Sequence, residues 1–531
     1  MYAIDLFCGA GGFSEGIIQA GFHIVFSSDI SKHVMETYKS RHEDLGLKQG
    51  YNTHFALADI RQLKGNEILE TINSLEYFHG KELKEIDVIF GGPPCQGYSR
   101  AGKRDKNDPR NMLFKEYVRI IQEIRPKYVV MENVEGFMDF RLDDFIGVSE
   151  KKYGQNVLVS EILTAELQLT GYSVIPPRIL DASDYGVPQR RTRAVFMAHR
   201  SDVAPPNYPA PTTASDEDKV KVGQALSDLL LQDNKKSKAS KQNDVSEYIT
   251  LSRSGRTPHF ETKQPLPFVG KLSNCEMSRH SKSVVQRFSL YNSGESTKHV
   301  IKRLLESGFD TDKYPQLFWE CVFVANMEYN EYLLTSIINN KVIKALNVKP
   351  KTLLKKLSTL LIEEFSQKPR IQEYSVKQTK KLGLNQEYEM IVEIINDFKA
   401  MCNQGVPVDT IRQMLRAGDI DNKLMESLLT KKNARSRLHP EKVSPTMVTL
   451  PDDFISPFEN RILTVREMAR LQSFDDSFIF RGKRTTGGKL RKQEVPQYTQ
   501  VGNAVPPLLG YAIAMEVRKA VLNEKKEEVL T

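Results

Sequence analysis

Cysteine is scarce in this chain, with five among 531 residues and no two of them in a C-x-x-C pair. An odd, widely spaced set (Cys8, Cys95, Cys275, Cys321, Cys402) argues against a disulfide framework or a zinc site and for a reducing compartment. No basic leader precedes the strand-like start Tyr2 to Phe7, and no apolar run reaches the roughly 18 residues a membrane helix needs, so neither signal peptide nor membrane span is expected. No internal repeat is visible. A strong excess of one charge is also missing: 75 basic against 67 acidic residues leave +8, which permits a polyanionic partner without requiring one. With 27% charged and 40% hydrophobic residues, the chain reads as soluble and long enough for two or more domains.

What is present is a βαβα rhythm over residues 1–200, the pattern of a mostly parallel sheet covered on both faces. Strands are expected at Tyr2 to Phe7, His23 to Ser28, Thr53 to Ala58, Ile86 to Phe90, Tyr128 to Met131, near Tyr172 to Leu180, and at Arg193 to Met197. Leu113, Phe114, Tyr117, Val118, Ile121 and Ile124 fall at helical spacing after Asp108-Pro109. Pro205, Pro206, Pro209 and Pro211 mark a domain boundary, and the Lys- and Ser-rich stretch 233–244 a polar loop. Several amphipathic helices follow to about residue 435. Val408 to Leu415 with the segment after it reads as two packed core helices rather than a helix-turn-helix.

Chemistry concentrates at the strand ends. Gly91-Gly92-Pro93-Pro94-Cys95-Gln96 follows a buried strand with a turn stiffened by proline, which aims the Cys95 thiol as a nucleophile, although a lone cysteine is more often a buried structural residue. Cys8-Gly9-Ala10-Gly11-Gly12 joins the first strand to a helix, where backbone can approach a ligand. Asp29 ends the second strand, where a carboxylate can hold ribose hydroxyls. A dinucleotide fingerprint wants glycine at 14; Ser14 stands there, which favours a nucleoside cofactor lacking a pyrophosphate. Asp59-Ile60 closes the third strand and suits a purine edge. Glu132-Asn133-Val134 follows the fifth, and Glu132 is either a capping carboxylate or an acid kept protonated by burial. Gln189-Arg190-Arg191-Thr192-Arg193 adds guanidinium groups. Six basic residues between Arg481 and Lys492 form either a solvated loop or a phosphate-contacting one.

These motifs, with Arg461-x-Leu463-Thr464-Val465-Arg466-Glu467 and Gln500-Val501-Gly502-Asn503-Ala504-Val505-Pro506-Pro507, resemble those of the DNA (cytosine-5)-methyltransferases in order, number and spacing. The resemblance covers residues 1–200 and about 437–520. It implies an α/β fold: a Rossmann-like S-adenosylmethionine-dependent methyltransferase domain with a mostly parallel sheet, plus an inserted α+β target-recognition domain. The expected division is a cofactor and catalytic domain at 1–200, completed by 498–525, and a recognition domain at 201–497 with a variable helical insertion. By motif, Phe7, Gly9, Gly11, Asp29, Asp59, Ile60, Asn503 and Val505 would surround S-adenosylmethionine, which leaves as S-adenosylhomocysteine; the family more often has Glu where Asp29 stands. Cys95 would be the nucleophile, Glu132 the acid at the pyrimidine N3, and Arg191 with Arg193 the support for Glu132 and the base carbonyl, with no metal. The partner implied is double-stranded DNA, read by the inserted domain and touched at its phosphates by Arg481 to Lys492. A cognate restriction endonuclease would act separately. No membrane is involved, and the protein is expected to be a monomer in a bacterial cytoplasm, as the family's smaller members lacking a long extension are.

Three rivals are weighed beside this reading. One is methylation of tRNA cytosine, another a catalytically silent DNA-binding module. The third, an NAD-linked oxidoreductase, follows from the sheet and glycine loop alone and is opposed by Ser14 and the Cys95 motif.

Overall fold

The computed structural model of the protein describes residues 1–80, 83, 85–94, 108–232, 245–340, 350–367, 388–431, 434–486, 490 and 493–530. Its main strands are β1 (Tyr2–Leu6), β2 (His23–Asp29), β3 (His54–Leu57), β4 (Val88–Gly91) and β5 (Tyr128–Val134), then, after the two-residue pair β6 (Arg141–Leu142) and β7 (Val157–Leu158), β8 (Tyr172–Asp181) and β9 (Thr192–Arg200). All seven strands expected from the sequence are there, in one sheet ordered β3-β2-β1-β4-β5-β9-β8. The first five pair parallel, and β9 inserts antiparallel between β5 and β8. The order reverses direction between β1 and β4, where open α/β sheets leave a crevice at their carboxyl ends.

The central strands read as unbroken apolar runs because both their faces are buried. Alternate side chains point to opposite faces. Ile4, Leu6, Ile89, Val129 and Met131 meet a core built from α3 (Gly65–Asn73), α4 (Leu113–Ile124) and α5 (Val159–Leu169). Ala3, Val88, Phe90, Tyr128 and Val130 meet Phe13, Ile17 and Ile18 of α1 (Gly12–Gln19). Helix α4 buries Phe114, Tyr117, Val118, Ile121 and Ile124 at the spacing expected, after Asp108 caps the preceding turn through the Arg110 amide. Helix α2 (Lys32–Asp44) joins β2 to β3.

The chain divides into two compact units, one made of Met1–Met277, His439–Pro451 and Leu463–Thr531, the other of Ser278–Leu438 and Asp452–Ile462. The first compact unit therefore runs on past residue 200 to Met277. Residues past the proline cluster stay with the sheet: the Tyr208 hydroxyl donates to the Val195 carbonyl at 2.8 Å, and α6 (Val222–Leu226) and α7 (Glu247–Ser254) follow in the same unit. The second unit is chiefly helical: α8 (Lys282–Ser289), α9 (Thr297–Ser307), α10 (Pro315–Ala325), α11 (Met327–Asn340), α12 (Pro350–Phe365), α13 (Tyr388–Met401), α14 (Val408–Ala417) and α15 (Asn422–Leu429). Its β component is a short parallel pair, β10 (Ser436–Arg437) and β11 (Phe454–Ile455). Helices α14 and α15 bury Ile411, Leu415, Leu424 and Leu428 in that unit's core, as two packed helices do.

The first unit is completed by α16 (Val465–Leu471), α17 (Gln497–Asn503) and α18 (Pro507–Leu530). Leu509, Ile513, Ala514 and Val517 of α18 join the core beneath α1. The approach is close: a Cβ on Gly16 would stand 2.3 Å from the Tyr511 nitrogen, which is backbone and cannot swing aside. Gly16→Ala is expected to cost about 1–3 kcal/mol in urea unfolding by overpacking, whereas Gly154→Ala, with nothing within 4 Å, should leave the midpoint where it is. No helix among the described residues is long and apolar enough to cross a membrane.

Candidate active site

The register of the sheet lines up the expected site residues along one edge. Leu6 pairs with both Ser28 and Gly91, Asp29 with Leu57, and Gly91 with Met131, so Phe7, Asp29, Gly92 and Glu132 follow one another at the carboxyl ends of adjacent strands. Phe7, Gly9 and Gly11 all take positive φ (58°, 55° and 98°), which turns the chain from β1 into α1. Phe7 is the costly one, since a bulky side chain in that region stores about 1–3 kcal/mol. Its partly buried ring packs against the core. Asp29 holds the loop: one oxygen accepts from the Gly9 amide at 3.0 Å, the other from Ser31 at 2.8 Å. Burial raises the Asp29 pKa against the backbone hydrogen bonds from Ser31, Gly9 and Ile30.

Ser14 acquires a role the sequence did not disclose. Its hydroxyl donates to the buried Asp5 carboxylate at 2.5 Å and lies 3.2 Å from the Tyr38 hydroxyl, tying α1 to β1 and α2 under the glycine loop. Burial pushes the Asp5 pKa up to about 7. The folded chain thus binds a proton more readily than the unfolded one between pH 3.8 and about 7. Stability should fall as pH rises through that window. In urea titrations across it, Asp5→Asn should flatten the dependence.

Asp59 ends the β3 edge, where Arg61 takes both its oxygens and lowers its pKa. Ile60, expected as an apolar contact for a ring, is 5% exposed and packs with the sheet core, and its carbonyl accepts from Arg119.

On the other side of the crevice Glu132 is 8% exposed and its Oε1 lies 2.5 Å from Arg193 Nε. Glu132 faces Val195 across the antiparallel pair, so Arg193 is its diagonal neighbour on the same face. A Cβ on Gly92 would stand 3.4 Å from Glu132 Oε2. The Asn133 amide donates to the Pro93 carbonyl at 3.2 Å, pinning the turn that leads toward Cys95. Cys95 itself lies outside the described residues, as does the stretch to Asn107.

Arg191 is not brought to Glu132 by any described contact. Its amide donates to Asp181, and its guanidinium reaches the carbonyls of Met447 at 3.2 Å and Gly502 at 2.9 Å. The segment after α17 returns to the glycine loop as expected: a Cβ on Gly12 would meet the Val505 carbonyl oxygen at 2.3 Å. Val505 is buried, and Asn503 beside it is exposed. Gln500 is fully engaged, its amide donating to the carbonyls of His33, Arg481 and Val495 while its oxygen accepts from Thr37.

This edge, with a glycine loop, a carboxylate paired to arginine and a Pro-Pro turn, is matched by the sequence model of the family described as C-5 cytosine-specific DNA methylase over residues 1–308 and 324–519. The chain belongs to the C-5 cytosine-specific DNA methylase family. This methylase is 27% identical over 522 residues to the Type II methyltransferase M.DdeI of Desulfomicrobium norvegicum, covering 97% of this chain and 88% of that one. To the Type II methyltransferase M.AgeI of Thalassovita gelatinovora it is 26% identical over 542 residues, 98% of this chain and all (100%) of the other. A crystal structure described as a DNA modification methyltransferase encoded within a prophage of E. coli shares its fold, with a TM-score of 0.52 at 19% identity over 98% of this chain and 99% of that one. The protein is thus a DNA (cytosine-5)-methyltransferase, an enzyme class whose methyl donor is S-adenosylmethionine.

In the methylase the helix α16 motif is structural. Thr464 and Glu467 form a reciprocal cap at its start, and Arg466 and Arg470 are wholly buried. Hydropathy assigns such residues to the surface, so only the folded chain shows them as core. The basic run is partly occupied by the protein's own groups. Lys483 pairs with Glu494 at 2.6 Å, Arg484 donates to the carbonyls of Glu276 and Met277, and Arg481 lies 3.3 Å from Ser40. Lys489, Arg491 and Lys492 lie outside the described residues. No group of three or more metal-ligating side chains occurs among the described residues.

Proposed function

We propose that this methylase transfers a methyl group to C5 of a cytosine swung out of a specific double-stranded DNA sequence, through a bond between Cys95 and C6. The carrying observation is the Glu132–Arg193 pair facing Gly92, which is three residues before Cys95 in the same motif. Cytosine C5 is too poor a nucleophile to attack unaided. Addition of the Cys95 thiolate to C6, with Glu132 placing a proton at N3, converts the ring to an enamine whose C5 is electron-rich. Arg193 orients Glu132 and would also meet the base carbonyl. Loss of the C5 proton then lets the thiolate leave. Extrusion of the base from the stack costs roughly a few kcal/mol, met by contacts in the crevice.

Phe7, Gly9, Gly11, Asp29, Asp59, Ile60, Asn503 and Val505 would hold S-adenosylmethionine, which when bound supplies an electrophilic methyl group. The residues present fit such a group. The glycine loop is held in its turn by the Gly9 amide on Asp29, that carboxylate suits ribose hydroxyls, and Asn503 is exposed. The Val505 carbonyl covers the first turn of α1, where a dinucleotide's diphosphate would need positive potential, which supports a nucleoside donor without phosphates. The helical unit would read flanking bases, the basic run would touch phosphates, and the modification would shield cytoplasmic DNA from a separate cognate nuclease, the protein acting as a monomer.

Bisulfite sequencing of plasmid from cells expressing the chain should reveal protected cytosines within one short reproducible motif; uniformly converted plasmid would overturn the reading. Cys95→Ser is expected to remove detectable methyl incorporation while titration calorimetry with S-adenosylhomocysteine gives the wild-type affinity.

A further inference from the structure

Helix α17 ends at Asn503, where the Ala504 amide donates to the Val501 carbonyl at 3.2 Å and the i+4 amides that would continue the ladder are missing. Two carbonyls of the last turn are met by side chains from elsewhere in the chain. Arg191 Nη2 donates to the Gly502 carbonyl at 2.9 Å, and Gln472 Nε2 donates to the Val501 carbonyl at 2.9 Å. Gln472 is held in turn by Gln189, whose amide donates to Gln472 Oε1 at 2.9 Å and whose oxygen accepts from the Met447 amide at 2.7 Å. Arg191 closes the circuit through the Met447 carbonyl. Arg191 is 2% exposed, and Gln189 and Gln472 are wholly buried. A cation at a helix C-terminus also meets the negative end of the helix dipole, so the placement is favourable twice over.

The path of Arg191 is set locally. Asp181 accepts the amides of both Ser183 and Arg191, and Ala182 donates to the Arg191 carbonyl, so this residue is fixed just before β9 begins at Thr192. Arg193, two residues on, is already in the ladder and turns to Glu132. We propose that Arg191, with Gln189 acting through Gln472, is a positioning residue that caps α17 and so aims Asn503 and Val505 at the methyl donor, while Arg193 alone serves the base. The Gln189-x-Arg191-x-Arg193 motif is then divided between the two halves of the site. This rests on the reading of the crevice given above.

The two halves can be measured apart. Donor-side geometry is read by the affinity for S-adenosylhomocysteine in titration calorimetry. Base-side chemistry is read without any donor: once Cys95 has added to C6 and N3 carries a proton, C5 of the enamine takes a proton from water, loses the original one, and the thiolate leaves. The net result is exchange of the C5 hydrogen, followed as tritium release from labelled cytosine in methylatable DNA. Wild type should show both; failure of both in wild type would count against the function and not against this division.

Arg191→Lys keeps the charge but cannot span two carbonyls, and should weaken S-adenosylhomocysteine binding about tenfold or more, as loss of a hydrogen bond to a charged group does, with tritium release unchanged. Gln189→Met, close in size, should do the same to a lesser degree. Arg193→Lys should show the reverse pattern. Unchanged S-adenosylhomocysteine affinity in both Arg191→Lys and Gln189→Met would overturn the proposal, and so would equal loss of both readouts in the two variants, since a merely structural tie fails both halves together.

Discussion

Replacing Glu132 by Gln is expected to lower the rate of methyl incorporation at saturating DNA and donor by about two to four orders of magnitude, the usual worth of a positioned acid. Gln has nearly the same volume and can still donate an N–H to N3, so the base should still bind. What it lacks is a transferable proton. Without protonation at N3 the negative charge left by thiolate addition has nowhere to settle, and the C6 adduct reverts before C5 can react. The loss should therefore appear in kcat more than in KM. Arg193 complicates the outcome, because its guanidinium lies 2.5 Å from the Glu132 carboxylate and is only 9% exposed. The single variant leaves that cation without its ionic partner. A double variant, Glu132→Gln with Arg193→Gln, should consequently be no slower than the worse of the singles, the non-additivity of residues acting as a unit. A Glu132→Gln enzyme within tenfold of wild type would remove the acid from the mechanism.

The second large effect concerns stability. Arg470 is completely buried, and its guanidinium is shared by Asp476, at 2.7 and 2.6 Å, and Asp228, at 3.0 Å to each oxygen, with the Ala225 carbonyl at 2.9 Å. Arg470→Met leaves two buried carboxylates under-compensated, Asp228 with only Arg253 at 2.6 Å and Asp476 with only Arg466 at 3.8 Å. The expected destabilisation is about 3–5 kcal/mol, measured by urea unfolding followed through far-UV circular dichroism. The charge and not the side-chain volume is at issue. Converting Asp228 and Asp476 to Asn in the Arg470→Met background should therefore recover much of the loss, whereas a loss that persisted would mean that the packing of α16 matters more than its ion pairs.

How much of this was readable beforehand differs by residue. The strands were legible because burial on both faces leaves runs such as Val88 to Phe90 without polar interruption, and glycine or proline ends them. The parallel sense was not legible for β9, whose apolar run looks like any other central strand. The proline cluster from 205 to 211 reads as a linker by composition, yet Tyr208 hydrogen-bonds to the sheet, a contact that depends on residues distant in sequence. At the site, Glu132 and Arg193 are brought together as expected, since a diagonal pair follows once β5 and β9 are neighbours. Arg191 goes elsewhere because a single carboxylate, Asp181, fixes its backbone before the strand begins. Ser14 counted only as a missing glycine until its hydroxyl was seen on Asp5.

The packing of α18 against α1 bears on synthesis. Some 490 residues separate these two helices, so at ribosomal speed roughly 25–100 s pass between the emergence of the first and that of its partner. Throughout that interval Phe13, Ile17 and Ile18 have no covering helix and stand open to aggregation or to a chaperone. The cover that the Val505 carbonyl lays over Gly12 at the start of α1 is likewise made late, just before α18.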